Sequence, residues 1–243
     1  MILKKSSRQT RLVAVPDDAG DAAAPLSREA VVDHALAVAD LDGLAAVSIR
    51  RIAQDFGVTP MALYWHVKNK DELLAAMGDR ILEVIEQPAP DETLGVDELR
   101  PLLTVLVDAL RLHPGCTELA MTRILQCDNG RVLSEWALKI LRDNGFSVQQ
   151  SADLARAALQ TAIMLVSRRP GGETSVPKDA RAEVVAHKRA ALQGLPADRF
   201  PRLVECADAL TDCDDEAAYY GAGIDLFMAG VTALQARQAA AAR

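Results

Sequence analysis

Apolar residues recur along most of this chain at intervals of three and four, the spacing that places them on one side of an α-helix. Val31, Val32, Ala35, Leu36 and Ala39 predict a first helix, capped by Ser27 and stopped near Asp42-Gly43. Ile49, Ile52, Ala53 and Phe56 follow Ser48 as a second, short helix. Gly57 sits where the chain must leave that helix, a place where a left-handed backbone costs glycine least. Thr59 as cap and Pro60 in the first turn open a third helix, with Leu63 and Val67 as its buried side. Asn69, with Glu72 three residues on, makes a capping-box-like start for a fourth. That helix carries Leu73, Leu74, Met77, Ile81, Val84 and Ile85 to about Gln87, where Pro88-Ala89-Pro90 ends it and marks a domain boundary.

Beyond the boundary the same period predicts helices at about 97–112, 117–126, 130–143, 147–168, 179–193, 199–210 and 215–238. Pro170-Gly171-Gly172 and Pro177 make 168–178 a loop. The helix at 147–168 is apolar on two faces, Leu154, Ala158, Ala162 and Leu165 on one and Ala155, Leu159, Ile163 and Val166 on the other, so it has more than one surface to bury. Ala217 to Leu234 holds a single acid, Asp225, and is long enough to span a bilayer. Asp225 with Gly221, Gly223 and Gly230 favours instead a helix buried between two protein surfaces, with no membrane partner. No strand pattern or internal repeat is evident. The fold class is all-α: a mobile basic arm at 1–25, a helix-turn-helix unit at 26–87 and a second helical domain at 95–238, whose surplus apolar faces suit dimerisation.

Residues 48–70 hold the candidate chemistry. Two short helices joined by a tight turn form a helix-turn-helix, whose second helix enters the DNA major groove. Met61, Tyr64 and Trp65 share one face of it, and with Leu63 and Val67 buried on another side, Tyr64, Trp65 and His66 stay available outside. The chain as a whole is acidic, with a net charge of −7, but Arg50, Arg51, Lys68 and Lys70 are opposed within 48–70 only by Asp55. Lys4, Lys5, Arg8 and Arg11 add to that basic end; a solvated tail is the simpler reading of them, and contact with DNA phosphates the other.

At 243 residues the chain can bury a sizeable core, and its 50% apolar but only 4% aromatic composition suits packed helices. Cys116, Cys127, Cys206 and Cys213 form no Cys-x-x-Cys pair and have no histidine at zinc-ligand spacing, which points to reduced, largely buried thiols in a cytoplasmic protein. No charged-then-apolar leader opens the sequence. The histidines, His34, His66, His113 and His187, fall into no catalytic spacing, and there is no Gly-x-Ser-x-Gly, phosphate-binding loop or His-Glu-x-x-His. No catalytic residue, metal site or cofactor is expected, and the chain is not read as an enzyme.

The block Leu63-Tyr64-Trp65-His66-Val67-Lys68-Asn69-Lys70, with Leu26-Ser27-Arg28-Glu29 before it, resembles the tetracycline-repressor (TetR) family of bacterial transcription regulators. The resemblance continues more weakly to Gly223-Ile224-Asp225-Leu226 and Ala229-Gly230-Val231. It implies that Arg50 reads a base edge, that Thr59, Pro60, Met61 and Ala62 occupy base-reading positions, that Tyr64, His66 and Lys70 contact phosphates, and that Trp65 lies at the groove edge. Pro60, Met61 and Ala62 offer few hydrogen-bonding side chains, so readout there falls to shape and thymine methyl contact. Ile85 and Leu119 stand where tetracycline-binding members carry histidines for the drug and its magnesium, while Thr122-Arg123 is retained. An apolar organic effector is therefore expected, in a pocket of Leu119, Arg123, Cys127, Trp136, Gln160 and Met164. The family likeness adds ligand binding to the domain at 95–238 and implies a homodimeric repressor that binds a palindromic operator and is released by effector, with the fourth helix as the only direct link from body to head. An activator of the same family remains open, as does a small-molecule-binding helical protein whose head serves protein contacts.

Overall fold

A computed structural model of the chain describes residues 26–85, 95–172, 176 and 178–241, and every regular element among them is helical. The expected basic arm at 1–25 and the boundary at Pro88–Pro90 lie outside the described residues. The first four helices are α1 (Arg28–Asp42), α2 (Ile49–Asp55), α3 (Pro60–Leu63) and α4 (Lys70–Glu83). Each begins on the cap its sequence offers: Ser27, Ser48, Thr59 and Asn69 each accept a backbone N–H three residues on. Gly57, at φ 66°, turns the chain out of α2, and the Val58 N–H closes that end on the Ala53 carbonyl at 2.9 Å. The third helix is shorter than its apolar period suggests. It has one α-helical turn, after which His66 and Val67 both donate to the Leu63 carbonyl.

The remaining helices are α5 (Leu99–Leu112), α6 (Thr117–Arg123), α7 (Asp128–Asp143), α8 (Val148–Ser167), α9 (Arg181–Gln193), α10 (Pro201–Glu205), α11 (Ala207–Thr211) and α12 (Glu216–Ala241). The single helix expected at 199–210 is split at Cys206 into α10 and α11. Ser147 and Gln150 form the full reciprocal cap of α8. Both apolar faces of α8 are used within the chain, because α5, α6, α7 and α12 all pack against it. Along α12 a single stripe, Tyr220, Ile224, Met228 and Val231, is buried. Its opposite side, Ala222, Leu226, Ala229 and Gly230, is exposed. The helix is long and apolar enough to cross a membrane by length and composition alone. Cys116 is buried, and burial pushes its thiol up to about 12; Cys127 and Cys213 are half-buried and Cys206 exposed, so the thiols are less buried than expected.

One continuous apolar core runs from α1 to α12. Among the described residues two joints, one at α4 and one at α1, tie the first four helices to the rest. At the first, α4 lies on α6 at Gly78, where a Cβ would stand 2.5 Å from Arg123 Cγ and 3.2 Å from Leu119 Cβ. Arg123 grips Asp79 there with Nε and Nη2 at 2.7 and 3.0 Å, and Asn129 donates to the carbonyls of Leu82 and Glu83. At the second, Gly115 lies against the end of α1, so close that a Cβ would come 2.3 Å from the Ala39 carbonyl oxygen. Asp40 receives the Gly115 N–H at 3.0 Å and pairs with His113 Nδ1 at 2.9 Å. The fourth helix is thus not the only link between head and body: α1 makes a second, through a turn whose contact is more than seventy residues away along the sequence.

Candidate nucleic-acid interface and effector cavity

Leu63 and Val67 are fully buried, and they turn the opposite side of the α2–α3 turn outward. Trp65 is 87%, Met61 69% and Tyr64 46% exposed, an unusual state for large apolar side chains on one short element. Arg50 and Pro60 are exposed beside them, and Thr59, also exposed, is held as the α3 cap. Ala62 and His66 are half-buried, and Lys70 is exposed at the first residue of α4. Arg50 makes no hydrogen bond or ion pair with any described residue, so its guanidinium is free to meet a ligand. The nine residues expected at the interface therefore lie on one continuous stretch from α2 to the start of α4, most of them open to solvent.

Neighbouring charges fix this surface from behind. Arg28, at the start of α1, donates to the His66 carbonyl at 2.8 Å and to Glu72 Oε1 at 2.6 Å. Glu72 also accepts the Lys68 N–H at 2.8 Å while its own N–H caps onto Asn69. The Arg28 hydrogen bond, seconded by the Lys68 N–H, holds the Glu72 carboxyl below the usual carboxylate range. Arg51 forks onto Asp55 at 3.0 and 3.1 Å, and Asp55 takes a further hydrogen bond from His34. Its carboxyl is lowered by the His34 bond first and by Arg51 second. Thus Arg51 is consumed inside the head while Arg50, one residue earlier, is not. Sequence reasoning missed Arg28 and Glu72 as supports of this surface, because their partners sit at the far end of the unit.

A half-open cavity of about 340 Å³ lies among α5, α6, α7 and α8, with Phe227 of α12 also in its lining. Leu102 and Leu106 from α5, Leu133 and Ala137 from α7, and Ala155 and Leu159 from α8 make its walls. Ser134 and Arg156 are the polar side chains at its edge; Ser134 Oγ donates to the Gly130 carbonyl, and Arg156 pairs with Asp153. None of the six residues expected to line an effector pocket reaches it. Leu119 is buried under α4, Arg123 is spent on Asp79 and Gln126, and Cys127 forms the entry to α7. Trp136 is half-buried on another side of α7, and Gln160 and Met164 face outward from α8. The reason is rotational: α6 shows Met121 to the cavity, joined by Ile124 and Leu125 of the turn after it, and shows Leu119 and Arg123 to α4, while α7 and α8 show the cavity faces other than those of Trp136, Gln160 and Met164. Ile85 is likewise buried outside the cavity. Among the described residues no group of three or more His, Cys, Asp or Glu is placed to hold a metal ion.

Residues 31–77 match the profile described as "Bacterial regulatory proteins, tetR family". An HTH-type transcriptional regulator from Saccharopolyspora erythraea is 26% identical over 210 residues, which cover 86% of this chain and 85% of that one. The class D tetracycline repressor of Escherichia coli is 27% identical over 85% of this chain and 89% of its own. Among solved structures, the TetR family protein ActR of Streptomyces coelicolor in complex with (S)-DNPA is similar at a TM-score of 0.63 and 28% identity, covering 86% of this chain and 98% of that one. The same protein in complex with actinorhodin gives 0.60 and 28%.

Proposed function

The chain belongs to the TetR family of DNA-binding transcription regulators, and from that premise we propose a homodimeric repressor that a small apolar molecule releases from its operator. Like the regulators it matches, it is not an enzyme. The observation that carries the proposal is the double use of α6. Met121 of α6, with Ile124 and Leu125 of the turn that follows it, walls the cavity, and the other face of α6, Leu119 and Arg123, holds α4 at Gly78 and Asp79. An occupant that displaces α6 must therefore move α4 or break the Arg123–Asp79 fork. Since α4 begins at Lys70, directly after the exposed Trp65 turn, such a shift re-aims the DNA-facing surface.

On DNA, Met61 and Ala62 meet thymine methyl groups, Pro60 and Thr59 read groove shape, and Arg50 takes a guanine edge with its unengaged fork. Tyr64, His66 and Lys70 contact phosphates, and Trp65 lies along the groove edge. The operator is palindromic because a two-fold dimer must set two such surfaces about one DNA turn, roughly 34–36 Å, apart. The exposed side of α12 supports that dimer. Leu226 is 78% exposed there, and a Cβ on Gly230 would meet nothing within 4 Å, leaving room for close approach by a second copy. Residues 26–87 act as head and 95–238 as body, in the cytoplasm.

The cavity walls favour a largely apolar organic effector and offer no donor set for magnesium. Actinorhodin, found with ActR, is a rational first probe, alongside tetracycline with and without magnesium. A thermal-shift screen tests this: an apolar ligand raises the melting temperature by mass action, and a chelator leaves the shift intact. Stabilisation by tetracycline only when magnesium is present would overturn the effector class.

A further inference from the structure

A second cavity, of about 430 Å³, opens where the ends of α5 and α8 meet the starts of α9 and α12. It shares no lining residue with the apolar one. Three guanidiniums, Arg111, Arg169 and Arg181, border it against two carboxylates, Asp108 and Glu216. Glu216 serves Arg111 at 3.4 Å and Arg169 at 3.2 Å, and Arg111 also pairs with Asp108 at 3.1 Å. Arg181 is left over. Among the described residues its Nε and Nη2 donate to backbone carbonyls alone, of Val176 at 2.9 Å and Asp40 at 3.0 Å, and no carboxylate pairs with it. Neutral backbone dipoles hold this half-buried guanidinium without offsetting its charge, so the described residues of the wall carry three guanidiniums against two carboxylates, one positive charge in surplus. Leu112, Val166 and the Tyr220 ring supply apolar surface beside it.

We propose that this cavity binds a small organic carboxylate, and that its binding loosens the DNA-binding head. A single surplus positive charge beside apolar walls suits a monoanion with a hydrocarbon body. A dianionic phosphate would bring excess charge against Asp108 and Glu216. The link to the head runs through Asp40, in the last turn of α1. Arg181 holds the Asp40 carbonyl, while the Gly115 N–H and His113 hold its carboxylate. A bound carboxylate competes with the Asp40 carbonyl for Arg181 and so slackens the second joint between body and head. By linkage, DNA weakens carboxylate binding by the same factor.

The test uses the full chain with benzoate, its neutral isostere benzamide, and inorganic phosphate as probes, read by thermal shift without DNA and by fluorescence anisotropy with DNA. Benzoate raises the melting temperature saturably and benzamide and phosphate do not. Arg181→Gln abolishes the shift, and so does Leu112→Glu, which places a tethered carboxylate in the cavity. Saturating benzoate raises the DNA dissociation constant of the wild type at least threefold. An equal shift from benzamide or phosphate overturns the carboxylate assignment, and retention of the benzoate shift in Leu112→Glu overturns the site even if Arg181→Gln fails to fold. Unchanged DNA affinity at saturating benzoate overturns the link to the head. A probe entering the apolar cavity survives both substitutions, so this outcome and failure of the effector proposal are distinguishable.

Discussion

Arg50 and Arg51 are neighbours in sequence, yet they have opposite fates. Arg51 is bound by Asp42 and Asp55, and Arg50 has no partner among the described residues. Replacing Arg50 with Ala should relax base preference at one position of each half-site, at a cost of about 1–3 kcal/mol, as read by competition among variant operators. Tyr64→Ala or Lys70→Ala should instead weaken binding to every DNA sequence. Where the substitution leaves a phosphate no longer neutralised, the slope of log affinity against log salt should fall by up to about 0.9 per phosphate. Wild-type binding by all three variants would sink the DNA assignment of these residues. Glu72 makes a pH prediction. Its folded carboxyl is depressed by Arg28, so its contribution is present above the ordinary glutamate range and is lost as pH falls through the depressed value. Glu72→Gln should therefore lower stability at neutral pH and flatten the acid limb of thermal unfolding; an unchanged acid limb would show that the Arg28 contact does not matter to folding.

At the scale of the element, Gly78 is the position to change. A Cβ there must push Arg123 or shift α4, so Gly78→Ala should destabilise the protein by about 1–3 kcal/mol despite the better helix propensity of alanine. A gain in stability, measured by denaturant unfolding, would mean that α4 and α6 are not closely coupled. The helices and most of their ends were legible in the sequence because the signals are local: Ser27, Ser48, Asn69 and Ser147 cap within three residues, and Gly57 ends α2 by its own backbone. The exposed side of α3 was legible too, since burying Leu63 and Val67 leaves Trp65 outside. The lining of the apolar cavity was not, because α6, α7 and α8 have apolar residues on more than one side and periodicity alone does not say which side meets a cavity. Leu119 and Arg123 looked like pocket residues and are spent on α4 instead. Gly78, a glycine inside an apolar helical pattern, was the one local sign of that close packing.

For the whole molecule, the exposed face of α12 and the two joints between head and body set the behaviour. Gly230→Glu should put an unpaired charge into the proposed dimer interface and give a monomer that no longer binds operator, read by sedimentation and anisotropy. A wild-type chain that sediments as a monomer at micromolar concentration would remove the dimer from the mechanism. The second joint, at Asp40, was invisible in the sequence, since His113 and Gly115 fall between two expected helices and lie more than seventy residues from Asp40. It means that the head is held at two ends, by α1 and by α4, so an effector that acts through α6 works against a constraint at α1. The proposed regulation then requires differential binding: an effector must favour the arrangement with a displaced α4 over the one that fits DNA. The most direct measurement is an anisotropy titration of selected operator DNA, with and without the compound that stabilises the protein most, for the wild type and Arg123→Ala. Saturating compound should weaken wild-type DNA binding at least about tenfold, a coupling near 1.4 kcal/mol, and Arg123→Ala should bind both ligands yet lose most of that coupling. Undiminished DNA affinity in the wild type, or full coupling without Arg123, would contradict the transmission of cavity occupancy through α6 to α4.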